Sequence, residues 1–126
     1  MNLALRNARL THLKQVVIDA PPRQFKMDRI SQRTSCGTAY CAAGWAAQDL
    51  EFIKQGLELV AGEIFYNDVG PEDGRRFKAL EAFFGLQRKE SDLLFGSHLY
   101  GEDIVPKEEV LHNIDRLLAG KKPIRY

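Results

Sequence analysis

Ser35-Cys36-Gly37-Thr38-Ala39-Tyr40-Cys41-Ala42-Ala43-Gly44-Trp45-Ala46-Ala47 holds both cysteines and the only tryptophan of this 126-residue chain. Ala39, Ala42, Ala43 and Ala46 recur at helical spacing, and Gly37, Cys41 and Gly44 widen the small-residue stripe. The pattern predicts a helix over residues 38–49, with the Ser35 or Thr38 hydroxyl as N-cap. Glycine inside a helix costs about 1 kcal/mol relative to alanine. A helix that accepts Gly44 among so many alanines is expected to recover that cost through close packing, with Trp45 supplying bulk. This segment is therefore expected at the centre of the fold.

Working outward, residues 3–19 read as a helix with Leu3, Leu10, Leu13, Val16 and Val17 on one side. Arg6, Arg9, Lys14 and Gln15 fall largely elsewhere. Ala20-Pro21-Pro22 ends it, since the position before proline is pushed out of the α region. Residues 23–33 lose helical order, and Phe25, Met27 and Ile30 are spaced like anchors of an irregular segment. Residues 50–70 admit two readings. A helix broken at Gly56 or Gly62 is preferred, with strands at 57–60 and 63–66 as the alternative. Asn67 through Gly74 is turn chemistry.

The last third is more regular. Residues 75–84 predict a helix burying Phe77, Leu80, Phe83 and Phe84 and ended by Gly85. Residues 87–95 predict a short helix with Leu93, Leu94 and Phe95 inward, followed by a loop over 96–101. A final helix opens at Pro106, buries Val110, Leu111, Ile114, Leu117 and Leu118, and stops at Gly120. Lys121, Lys122 and Arg125 follow as a basic tail. The expected fold is all-α, one domain over residues 1–126. It is a compact bundle of five or six helices around the small-residue helix, with a short hairpin near residues 52–66 as a variant.

Composition bounds the function. Eighteen basic residues against 17 acidic leave a net charge of +1, so no overall field recruits nucleic acid or an anionic membrane. No apolar run approaches the roughly 20 residues a membrane-spanning helix needs. The opening residues lack the apolar core of a secretory signal, which makes the cytosol the expected compartment and the cysteines free thiols.

Cys36 is the candidate nucleophile. Placed just before a helix, its thiolate would be favoured by the helix dipole, with His98 or His112 as base. The competing account is that Cys36 and Cys41 are buried structural residues, and the sequence defines no complete catalytic set. A zinc site from both cysteines with His12, His98 or His112 has poor ligand spacing; no metal or cofactor is expected. Arg75, Arg76, Lys78, Lys121 and Lys122 form small basic clusters without the aromatic interleaving of an RNA reader. Phe83, Phe84, Tyr66, Tyr100 and Trp45 are weighed as pocket lining against core. His98 and Tyr100, with Arg75 and Arg76, are the candidate partner-binding residues.

The run Cys36-Gly37-Thr38-Ala39-Tyr40-Cys41-Ala42-Ala43-Gly44-Trp45-Ala46 resembles the hallmark of a scattered group of small, uncharacterised bacterial and phage proteins. Phe25-Lys26-Met27-Asp28, Phe84-Gly85-Leu86 and Leu94-Phe95 agree with that group, whereas Ile30 stands where a tryptophan is frequent. The resemblance implies a bacterial or phage cytosolic setting and no particular activity. The leading expectation is a non-enzymatic protein-interaction module, such as a phage or prophage accessory protein that binds a host protein. A thiol-dependent enzyme or redox sensor centred on Cys36 comes second, and a nucleic-acid-associated protein third.

Overall fold

The computed structural model describes residues 2–20, 32–34, 37–39, 42–61, 63–72, 77–95 and 107–124. In chain order these form α1 (Leu3–Asp19), β1 (Gln32–Thr34), β2 (Gly37–Ala39), α2 (Ala42–Gln48), α3 (Leu50–Lys54), β3 (Leu57–Val60), β4 (Glu63–Tyr66), α4 (Lys78–Phe84), α5 (Arg88–Phe95) and α6 (Lys107–Leu118). The fold is mostly helical but not all-α. Two antiparallel hairpins, β1–β2 and β3–β4, interrupt the helices.

The ends of α1 have local causes. The Asn2 side chain accepts from the amides of Ala4 and Leu5 at 2.7 and 3.3 Å, satisfying two of the orphaned first-turn donors. At the other end Ala20, which precedes a proline, turns extended with ψ 129°. Leu10, Leu13 and Val17 are fully buried, while Leu3 is exposed, contrary to its expected place on the inner face. Arg9 also departs from expectation. It is buried at 7% exposure rather than turned to solvent.

Arg9 explains how α1 is locked to α4. Its Nη1 donates to the Phe83 carbonyl at 2.6 Å and its Nε to Gln55 Oε1 at 2.8 Å. The guanidinium carbon lies 3.9 Å from the Phe83 ring centroid, within cation–π range. Phe83 stands in the last turn of α4, whose carbonyls carry the negative end of the helix dipole. Gly85 then ends α4 in the left-handed conformation, φ 65°, as its sequence position suggests.

The small-residue segment is divided. Thr38 lies in β2, paired with Arg33 of β1, so it cannot cap the following helix. The helix begins at Ala42, and Ala42, Ala43, Gly44, Ala46 and Ala47 are buried in it. Asp49 breaks the helical course for one residue, with ψ 127°, and caps α3 by accepting from the Phe52 amide at 3.1 Å. Past α3 the strand alternative holds. Leu57 pairs with Tyr66 and Val60 with Glu63, correcting the preferred helical reading of this region. Leu57 and Ile64 face the core, and Ala61 in the connection has φ 51°.

One buried cluster joins the six helices and the β3–β4 hairpin. Phe52 sits edge-on to Phe83 and Phe84, with ring centroids 5.1 and 5.4 Å away, a favoured aromatic geometry. Tyr66 meets Phe83 at 5.0 Å. Val110, Ile114 and Leu117 of α6 are buried in the same cluster. Lys14 and Asp115 bridge α1 and α6 at 2.8 Å. Beyond α6 the chain returns along it: Asn113, fully buried, donates through Nδ2 to the Ile124 carbonyl at 3.0 Å and accepts the Ile124 amide at 2.8 Å. Among the described residues, no helix is long and apolar enough to cross a membrane.

Candidate functional site

A groove of about 350 Å³ opens between the second half of α1 and the α2–α3 junction. That is at the small end of the range for ligand and side-chain pockets. Its apolar lining comes from Val16, Ala20, Trp45 and Leu50. Val16 comes from α1, Ala20 from its C-terminal cap, Trp45 from α2 and Leu50 from the first turn of α3. Val16 is next to the buried Val17 on α1, and Trp45 is the one bulky residue between the buried alanines of α2.

The polar rim is His12, Gln15 and Asp19 on α1 against Gln48 and Asp49 across the groove. His12 Nε2 lies 2.8 Å from Asp49 Oδ2. A carboxylate only accepts, so the pairing places a proton on Nε2. The imidazole is further positioned by Phe52, whose ring meets it edge-on at 4.9 Å and 87°. Gln15 Nε2 donates to Asp19 Oδ1 at 2.9 Å. The site therefore offers an oriented imidazole, two carboxylates and an apolar wall containing an indole. Leu50 on its rim is 75% exposed.

A second depression of about 200 Å³ lies on the far side of Gln48, bounded by Ala47, Ile53 and the β3 residues Leu57 and Leu59. Ile53 is 42% exposed. Gln48 borders both hollows, so the α2–α3 junction forms a ridge with apolar residues on each flank.

Of the residues singled out in the sequence, Gly44 is buried in α2 and Trp45 is half-buried at the groove. Gly37 and Thr38 belong to β2. Cys36, Cys41, His98, Tyr100, Arg75 and Arg76 lie outside the described residues, as do Phe25, Met27 and Ile30. Tyr66, Phe83 and Phe84 are packed in the aromatic cluster with Phe52, so among the described residues of that set Trp45 alone lines the groove. His112 is exposed on α6. His12, considered in the sequence only as a metal ligand, is instead paired with Asp49, and Asp49 was not singled out at all. No motif spacing announces a pair separated by 37 positions. Among the described residues, no three His, Cys, Asp or Glu side chains are grouped so that they could hold a metal ion.

No family model matches the chain, and no curated protein or solved structure shows significant similarity to it. The chemistry of the groove has to be taken from its own geometry.

Proposed function

We propose that the protein is a non-enzymatic protein-interaction module whose docking face is the α1/α2–α3 groove and the ridge beside it. The observation that carries this is Leu50, three-quarters exposed at the rim of an apolar hollow. A large aliphatic side chain at such a rim gains about 25 cal/mol for each Å² of apolar surface a partner covers. Ile53 extends the same face toward the second hollow. The bacterial or phage setting implied by the resemblance of residues 36–46 indicates the source of the partner, a host cytosolic protein.

The test compares tagged wild-type protein with Leu50→Asp in capture from bacterial lysate, alongside the melting temperature of each. The docking face predicts a specific protein retained by the wild type and lost from the variant at unchanged melting temperature. Retention that is indifferent to Leu50→Asp removes this face from the interaction. Concentration-dependent self-association lost in the variant would replace the foreign partner with a second copy of the chain.

A further inference from the structure

We infer that the groove receives a lysine or arginine side chain projected by the partner, which rests on the docking-face function proposed above. Charge is the first reason. Among the described residues that line the groove, Asp19 and Asp49 are the carboxylates, His12 is the one titratable base, and no lysine or arginine is present. Over the whole chain basic residues slightly outnumber acidic ones, so the acidic bias is a property of this place.

The two carboxylates also have capacity to spare. Asp49 uses Oδ2 for both His12 and the Phe52 amide. Asp19 takes Gln15 through Oδ1. Asp49 Oδ1 and Asp19 Oδ2 have no hydrogen bond among the described residues, and each carboxylate oxygen accepts two.

Asp19 carries a third indication. It is the last residue of α1, where the helix dipole is negative and a carboxylate works against the helix. Local preference would place a basic residue there. Departures of this kind are expected where a site needs the residue.

The apolar lining completes the match. Lysine and arginine are amphipathic, with an aliphatic stem and a charged head. The stem would lie along Val16, Ala20 and Leu50, with Trp45 as the wall, and the head would reach the carboxylates. A wholly apolar occupant would desolvate Asp19 and Asp49 without satisfying them, and an acidic one would meet like charge.

The test titrates isotopically labelled full-length protein with N-acetyl-arginine amide, N-acetyl-lysine amide and the neutral isostere N-acetyl-citrulline amide. The indole N–H of Trp45, the only tryptophan, is the reporter. The expected result is a saturable shift with both basic probes. Binding should weaken by roughly threefold to fivefold for citrulline and for Asp19→Asn, and should weaken further with added salt. An equal response to citrulline, or no saturable response to either basic probe, overturns the inference. Leu50-dependent capture of a partner without a basic-probe response leaves the docking face standing and removes only the basic side chain. A basic-probe response without a Leu50-dependent partner refutes the docking face and, with it, the protein source of the cation.

Discussion

His12 and Asp49 meet with Nε2 2.8 Å from Oδ2, and the same oxygen accepts the amide of Phe52. One carboxylate atom thus ties α1 to the start of α3. The Phe52 ring, carried by the helix that Asp49 caps, contacts the His12 ring in turn. The groove wall and the core packing beneath it therefore share their supports.

Asp49→Ala should cost about 1–2 kcal/mol in denaturant unfolding, since cap and imidazole partner are lost together. Asp49→Asn keeps an accepting oxygen for the Phe52 amide and should lose less than half as much. Equal losses in the two variants would show that the cap contributes little.

Arg9→Met should destabilise by about 2–3 kcal/mol. The aliphatic stem is replaced, but the Phe83 carbonyl and Gln55 lose their donors. Arg9→Lys should recover only part of this, because an ammonium cannot reproduce the planar fork that serves two acceptors while stacking on Phe83. The midpoint of urea unfolding for the three proteins decides it.

Asn113→Ala should release the returning tail. The buried side-chain amide pairs with both backbone groups of Ile124 as a neighbouring strand would. Its removal should cost about 1–2 kcal/mol and accelerate amide exchange at Ile124. Unchanged exchange there would mean that other contacts hold the tail.

Ala61→Asn should stabilise the protein by about 0.5–1 kcal/mol, because Ala61 is held at φ 51° and asparagine tolerates that region better. Gly56→Ala should do the reverse, by about 1 kcal/mol or more, since Gly56 sits at φ 106° with Tyr66 Cε1 3.4 Å from where a Cβ would stand. Thermal melts of the two variants should move in opposite directions.

Leu50→Asp should leave stability unchanged or a few tenths of a kcal/mol higher. The leucine is 75% exposed, and aspartate in the first turn of α3 complements the helix dipole. A melting temperature lowered by several degrees would show that Leu50 packs structurally.

Elements whose signals are local were legible in the sequence. The α1 boundaries follow from the Ala20-Pro21 junction and the Leu10, Leu13, Val17 spacing. The end of α4 follows from Gly85, and the inner face of α6 from Val110, Ile114 and Leu117. The start of α2 was not legible. Alanine, glycine and threonine are compatible with either period, so Thr38 and Ala39 fitted a helical stripe although they pair with β1. Periodicity also sent Arg9 to solvent, because it counts charge as exposed and knows nothing of a carbonyl and an aromatic face on a helix 74 residues away.

By itself, the sequence determined where most helices lie, which of their residues are apolar, and that Ala42, Ala43, Gly44, Ala46 and Ala47 form a buried segment. Those properties depend on neighbours within one or two turns, and the handedness and sterics of the chain translate them directly into structure. Only the tertiary structure decided that residues 57–66 form a hairpin, that Arg9 is buried, and that His12, Asp19, Trp45 and Asp49 surround one groove. Each of these is set by contacts between residues distant in sequence. Their free energies exist only once loop closure and core burial have brought the partners together, so no local pattern encodes them.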